Sequence, residues 1–152
     1  MAAALLRHAL AAEPEPLKSI PVLSAGVSAM AGYPAAANAV QALKKVGIEL
    51  NGHRSQRVTQ QLLNEALAVF CMTESHRAMI ELDFDPIPPN LHLMRDPMGT
   101  DDPDIPDPFG SNLAGYEASR DSMVEAIPAL VAYLRTLVIP PADEAESEPG
   151  TA

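Results

Sequence analysis

The only cysteine of the sequence stands in a pattern that could carry phosphate chemistry. Cys71 is followed by five residues and then by Arg77, and the stretch lies between an apolar run and a helical pattern. A thiolate can attack phosphorus, and a guanidinium can hold the phosphate oxygens. Cys71 and Arg77 are therefore a candidate nucleophile and its anion ligand.

The residues around this pair are nevertheless unsuited to cradle a phosphate. Between Cys71 and Arg77 there is no glycine or asparagine, the residues that tolerate the left-handed backbone angles of an anion-binding nest. Glu74 would place a carboxylate beside the phosphate dianion. Ala78 follows the arginine, at a position where phosphate sites with a cysteine nucleophile have a hydroxyl that assists the leaving thiolate. We therefore interpret Cys71 as a small core residue at the end of a strand, and Cys71 with Arg77 as a decoy.

A second candidate lies in the segment 96–110, which is rich in aspartate, proline and glycine. The segment is longer than most connections in a compact domain, and this length suggests a function. Asp107 precedes Pro108 and Phe109, and an aspartic acid can act as a general acid. Asp-Pro pairs are also common in ordinary turns, so this pattern alone leaves both interpretations open.

The elements that must position these residues alternate between helix and strand. The spacing predicts helices at the amino terminus, over about 34–46, after Thr59, after Thr73 and over about 114–137, and strands over 20–27, 67–72 and 91–94. Thr59 and Thr73 are predicted helix caps, and Pro128 is predicted to kink the last helix or to separate two shorter ones. This alternation predicts an α/β fold with a parallel sheet, which binds ligands at the carboxyl ends of its strands.

Composition excludes several classes of function. The 152 residues suit one domain, and their formal net charge of −10 opposes a nucleic-acid partner. No segment has the ~20 apolar residues that span a bilayer, so no membrane partner is expected. A single cysteine forms neither an intrachain disulfide nor a cysteine-based metal cluster, which favours a reducing, cytoplasmic location. The acidic, proline-rich residues 139–152 are predicted to be a disordered tail.

Four short patterns follow one another along the chain. They are Ser24-Ala25-Gly26, His53-Arg54-Ser55, Met72-Thr73 with His76, and 104–110 with Tyr116 beyond it. Their order and spacing resemble the low-molecular-weight protein tyrosine phosphatase family, most closely its bacterial branch that includes protein arginine phosphatases. The resemblance covers residues 1–138 as one domain.

The resemblance implies a mechanism and roles for the residues that match it. A cysteine thiolate attacks phosphorus to form a phosphocysteine, and an aspartic acid protonates the leaving group and then activates water. Asp107 matches the acid, Pro108 fixes its turn and Phe109 lines the substrate slot. His53 matches a histidine that holds the catalytic loop, and Ser24 is a supporting residue. The implied substrate is a phosphorylated protein side chain or a small aryl phosphate, with no cofactor or metal; the choice between phosphotyrosine and phosphoarginine stays open.

The resemblance also predicts what the sequence lacks. The family folds as a three-layer αβα sandwich with strand order 2-1-3-4, and its loop Cys-x-Gly-Asn-x-Cys-Arg-Ser-Pro joins the first strand to the first helix. That helix commonly begins Met-Ala-x-Ala-Leu, and this sequence begins Met1-Ala2-Ala3-Ala4-Leu5. We therefore expect an N-terminally truncated chain, without the first, central strand, the nucleophile and the phosphate-binding arginine. Reading the in-frame DNA upstream of Met1 tests this expectation.

Three functional readings follow. The first is a protein phosphatase that is inactive as given because the catalytic loop is absent, and the second is a non-enzymatic pseudophosphatase that binds or regulates. The third, an arsenate reductase on the same fold, needs more redox cysteines than Cys71 alone.

Without a central strand, the two flanking strands must pair directly, accept a strand of another chain, or belong to a longer natural protein.

Overall fold

The computed structural model describes residues 1–140, which form five α-helices and a two-stranded parallel sheet. The helices are α1 (Ala2–Ala11), α2 (Ala37–Lys44), α3 (Gln60–Glu65), α4 (Glu74–Asp83) and α5 (Leu113–Val138), and the strands are β1 (Val69–Cys71) and β2 (Leu91–Leu93). Single turns of 3-10 helix occupy Leu17–Ser19 and Asp96–Met98. Most of the predicted tail, 139–152, lies outside the described residues.

Two of the helices begin where the sequence predicts a capping threonine. The Thr59 hydroxyl accepts a hydrogen bond from the Leu62 amide at 3.2 Å, and the Thr73 hydroxyl accepts one from the His76 amide at 3.3 Å. Each bond satisfies one of the amides that the first helical turn leaves without an intrahelical partner. Both predicted caps are confirmed.

The last helix runs without interruption through Pro128. A proline in a helix interior removes the hydrogen bond to the carbonyl four residues earlier, which here belongs to Val124. Pro128 and Val124 both lie on the exposed side of α5, where water can hydrate the freed carbonyl. The predicted alternative of two shorter helices is therefore wrong.

The side chains of β1 alternate between two apolar clusters. Cys71 packs with Leu63, Ile80 and Leu93, between the sheet and the helices α3 and α4. Phe70 points the other way, into the main core that α1 and α5 form. Strand β1 therefore contributes apolar surface on both faces, as a strand of a covered parallel sheet does.

The predicted strand at 20–27 does not form in the described part of the chain. Strand β1 pairs only with β2, in the register Val69↔Leu91, and the residues at 20–25 stay outside the sheet. One isolated parallel bridge, between Gly26 and Arg57, is the only ladder contact of this segment within residues 1–140. An apolar run becomes a strand only when a neighbouring backbone supplies hydrogen bonds, and direct pairing with β1 does not occur.

Among the described residues, one edge of β1 is unpaired as a result. The Val69 amide donates to the Asn90 carbonyl at 2.8 Å, and the Cys71 carbonyl accepts from the Met94 amide at 2.8 Å, so both residues face β2. In a parallel ladder the residue between them, Phe70, directs its backbone N–H and C=O to the opposite edge.

Within residues 1–140, no helix is both long enough and apolar enough to cross a bilayer.

Candidate active site

The loop that carries Asp107 is fixed to the carboxyl end of β1. The Ile105 amide donates to the Met72 carbonyl at 2.8 Å, and the Ile105 side chain is only 1% exposed. One residue further, the Pro106 carbonyl accepts a hydrogen bond from the Ser119 hydroxyl of α5 at 3.3 Å. The end of β1, the buried side chain of Ile105 and the helix α5 together fix the start of this loop. The residues that follow therefore lie at the edge where parallel sheets bind ligands.

Asp107 lies exposed at the tip of this loop. Its Oδ1 accepts a hydrogen bond from the Phe109 amide at 2.9 Å, which forms an Asx turn across Pro108. The Pro108 carbonyl in turn accepts from the Ser111 amide at 2.9 Å, and the Phe109 ring is 87% exposed. Among the described hydrogen bonds only Oδ1 is used, so Oδ2 is available to carry a proton.

Two further side chains hold the loop, and the sequence reasoning assigned a role to neither. Asp104 Oδ1 accepts a hydrogen bond from the Glu74 amide at 2.9 Å, at the start of α4. Buried Arg95 donates from Nε to the Asp102 carbonyl at 2.9 Å and from Nη1 to the Ser122 hydroxyl at 2.9 Å. The contact between Asp104 and Glu74 spans 30 positions and that between Arg95 and Ser122 spans 27, so no local pattern could have indicated them.

His53 and Ser24 line a common cavity of about 250 Å³ next to the amino-terminal helix. Burial lowers the pKa of His53, and the charged amino group of Met1 and the guanidinium groups of Arg7 and Arg54 lower it further. Within residues 1–140 the His53 ring has no hydrogen-bond partner; only its backbone carbonyl is used, by Arg54 at 3.0 Å. The cavity therefore combines a neutral imidazole at neutral pH with nearby positive charge.

Two side chains hold the extended segment next to this cavity in place of strand partners. Arg7 donates to the Val22 carbonyl from Nε at 2.9 Å and from Nη2 at 2.7 Å. Gln56 Nε2 donates to the Ser24 carbonyl at 2.9 Å. The sequence reasoning did not identify Arg7 or Gln56, because neither belongs to a recognisable motif.

Cys71 is buried, and Arg77 contacts two carboxylates. Cys71 is 6% exposed, and burial raises the pKa of its thiol to about 11, an effect that exceeds the opposing attraction of Arg77; the carboxylates of Glu81, Asp96 and Glu74 add smaller increases. Arg77 already holds the Glu74 carboxylate, with contacts of 2.8 and 2.6 Å, and its Nη1 lies 3.7 Å from Asp96 Oδ2. A protonated thiol is a poor nucleophile, and a guanidinium between two carboxylates has little attraction left for an anion.

The structure thus brings some of the predicted residues together and leaves others apart. Ser24 and His53 share a cavity, and Asp107, Pro108 and Phe109 share a loop, but the loop residues are not among those that line the cavity. These roles rest on the residues that match the family pattern, and they stay predictions.

Comparison with known proteins identifies the family. The family model described as low molecular weight phosphotyrosine protein phosphatase matches residues 1–138. A protein-arginine-phosphatase of Geobacillus stearothermophilus is 35% identical over 136 residues, which cover 90% of this chain and 87% of that protein. A probable low molecular weight protein-tyrosine-phosphatase of Ralstonia solanacearum, EpsP, is 28% identical over 137 residues, which cover 90% of this chain and 88% of that protein.

Solved structures agree with this result. The YwlE arginine phosphatase from Geobacillus stearothermophilus superposes with a TM-score of 0.75 at 35% identity, and the match covers 89% of this chain and 83% of that one. A low molecular weight protein tyrosine phosphatase from T. tengcongensis superposes with a TM-score of 0.79 at 26% identity, covering 87% and 88%. The chain belongs to the low-molecular-weight phosphotyrosine protein phosphatase family.

Proposed function

We propose that these residues serve a protein phosphatase that hydrolyses phosphotyrosine or phosphoarginine, with Asp107 as its general acid. One observation carries the proposal: an exposed carboxylate with a free oxygen is held at the carboxyl end of β1, in a chain of this family. The relatives named above include both a protein-arginine-phosphatase and a probable protein-tyrosine-phosphatase. Asp107 would protonate the leaving phenol or guanidine and then activate the water that releases phosphate.

The nucleophile of this reaction is not Cys71 in our proposal. Attack on phosphorus requires a thiolate, and a buried thiol with a pKa of about 11 is almost fully protonated near neutral pH. The sequence has no other cysteine, and the family's loop Cys-x-Gly-Asn-x-Cys-Arg-Ser-Pro does not occur in its 152 residues. We therefore expect turnover to require that loop in addition to the residues described here, and we expect the 152 residues alone to be inactive.

We propose further that the loop arrives with a strand that completes the sheet. Within the described residues, the backbone edge of β1 at Phe70 is unpaired, and the segment at 20–25 is extended. Both could form hydrogen bonds with a strand inserted between them. The completed sheet would have the family's strand order, 2-1-3-4 in the family's own numbering, and would lie in a three-layer sandwich. The amino group of Met1 lies close enough to lower the pKa of His53, so a loop that led into α1 would reach the cavity lined by Ser24 and His53.

The test compares the 152-residue chain with the same chain preceded by a strand and the family's cysteine loop. We expect turnover of aryl phosphate only with the loop present. In that protein Asp107→Asn should lower turnover about 10²–10⁴-fold, the usual contribution of a positioned acid. The loss should be larger for phenyl phosphate than for p-nitrophenyl phosphate, because the poorer leaving group depends more on protonation.

Asp101→Asn, in the same loop, is the matched control and should leave turnover unchanged. Equal turnover by the Asp107→Asn protein would refute the acid assignment. Phosphatase activity of the 152-residue chain that Cys71→Ser abolishes would instead make Cys71 the nucleophile. Binding of phosphopeptides without turnover, even with the loop present, would favour the pseudophosphatase reading.

Substrate class and location belong to the same proposal. Peptides that carry phosphotyrosine or phosphoarginine, assayed side by side, decide between the two leaving groups. A cytoplasmic location agrees with the one cysteine, Cys71, which is a free thiol.

A further inference from the structure

We propose that Asp104 is a positioning residue, which orients Asp107 by fastening the acid loop (104–110) to the first turn of α4. The proposal rests on the function assigned to Asp107 above. It assigns a role to a carboxylate that does not touch the reacting groups, and to a helix that contributes no side chain to the reaction.

The acid loop enters its site through two adjacent residues that bind the same part of the fold. Asp104 Oδ1 accepts from the Glu74 amide at 2.9 Å, and the Ile105 amide donates to the Met72 carbonyl at 2.8 Å. Met72 and Glu74 flank the junction between β1 and α4. A single hydrogen bond fixes a distance, whereas two bonds from neighbouring residues also fix the rotation of the chain about its own axis.

The electrostatics of the junction favour this contact. The Glu74 amide is one of the donors that the start of α4 leaves without an intrahelical acceptor, and the positive end of the helix dipole attracts a carboxylate there. The Glu74 side chain could compete for this end, but Arg77 holds it with contacts of 2.8 and 2.6 Å. Thr73 serves a different donor, the His76 amide, at 3.3 Å. The Glu74 amide is therefore left for Asp104.

The position of Asp107 depends on this attachment. Asp107 follows Ile105 by two residues, and its carboxylate is itself held only locally, by the Phe109 amide at 2.9 Å. That bond fixes the shape of the tip but not its direction relative to the sheet. Direction comes from Asp104 and Ile105, with a weaker contribution from the 3.3 Å bond between Ser119 and the Pro106 carbonyl.

Amide hydrogen exchange on the 152-residue chain tests the proposal without any need for turnover. In Asp104→Ala the Ile105 and Phe109 amides should exchange about tenfold faster. The loss of one charge-assisted hydrogen bond at a partly solvated site accounts for a change of this size. Asp104→Asn keeps an oxygen acceptor and should restore most of the protection. Asp101→Ala, whose carboxylate accepts no described hydrogen bond, should behave as the wild type, and α5 amides should be unchanged in all variants.

Two outcomes would overturn the proposal. Faster exchange confined to the α4 amides at Glu74 and His76 would mean that Asp104 only caps the helix. Unchanged exchange at Ile105 and Phe109 would mean that Ile105 suffices to hold the loop. Because the experiment measures loop opening and not hydrolysis, a failure here is separate from a failure of the Asp107→Asn activity test.

Discussion

At the scale of single residues, the properties of Cys71 follow from its neighbours more than from its own chemistry. The thiol is packed against Leu63, Ile80 and Leu93, so its ionised form would lose hydration. The guanidinium of Arg77, which also binds the Glu74 carboxylate, lowers the pKa of the thiol, but burial raises it by more. In this folded chain, the cysteine of the Cys–x5–Arg pattern is therefore a protonated thiol near neutral pH and not a thiolate.

The raised pKa of Cys71 predicts a loss of stability at alkaline pH. The thiol remains protonated in the folded chain until about pH 11, whereas in the unfolded chain it ionises near its usual value of 9.0. The contribution of the buried, protonated thiol to the free energy of unfolding is thus complete below pH 9, and it is lost as the pH rises towards 11. The loss should reach about 2–3 kcal/mol, from 1.36 kcal/mol per pKa unit.

Urea unfolding of the wild type and of Cys71→Ala measures this effect. The difference in unfolding free energy between the two proteins should shrink between about pH 8 and about pH 10.5, because only the wild type carries the thiol. Lysine and tyrosine residues titrate in both proteins and cancel in the difference. Parallel stability curves over this interval would contradict the prediction.

At the scale of elements, α5 shows how packing overrides a local signal. A proline in a helix interior costs about 3 kcal/mol relative to alanine, and the helix still continues on both sides of Pro128. The buried residues Met123 and Ala126 before the proline, and Leu130 and Leu134 after it, face the interior. Burial on both sides stabilises one continuous helix, and the exposed position of Pro128 limits the cost.

Replacement of this proline should therefore stabilise the protein. Pro128→Ala adds a backbone N–H that can donate to the Val124 carbonyl, and we expect a gain of about 1–3 kcal/mol in unfolding free energy. Thermal and urea unfolding measure the gain. Ala132→Gly, at another exposed position of α5, is the control and should cost about 0.5–1 kcal/mol. A destabilised Pro128→Ala protein would show that the proline fits a bend that the helix requires.

At the scale of the whole molecule, Arg95 joins the end of β2 and the segment that follows it to α5. The residue is 7% exposed and precedes the 3-10 turn after β2. Its Nε donates to the Asp102 carbonyl at 2.9 Å, and its Nη1 donates to the Ser122 hydroxyl at 2.9 Å and lies 3.3 Å from Glu125 Oε2. The end of the sheet, the segment just before the acid loop and α5 are thus held by one guanidinium.

Loss of this guanidinium should destabilise the fold more than loss of a surface arginine does. Arg95→Met leaves the Asp102 carbonyl and the Ser122 hydroxyl without their donor, and we expect a cost of about 2–4 kcal/mol. The control is Arg135→Met, which removes an exposed ion pair with Glu13 and should cost about 0–1 kcal/mol. Equal losses of unfolding free energy in the two variants would contradict the assigned role of Arg95.

The sequence by itself determined the local features of this protein. Helix starts at Thr59 and Thr73 were predictable, because a capping hydroxyl bonds to an amide three residues away and needs nothing from the rest of the fold. The long loop before α5 was predictable from its prolines and aspartates. The family was recognisable because its short patterns keep their order along the chain.

Only the tertiary structure decided which backbone edges are paired and which side chains hold the acid loop. The apolar run at 20–27 is typical of a strand, but a strand exists only beside a partner, and within residues 1–140 β1 pairs with β2 alone. The contact between Asp104 and Glu74 joins residues 30 positions apart, and Arg95 reaches across to Ser122 on α5. Such contacts depend on how helices and strands pack against one another, which no local pattern of residues encodes.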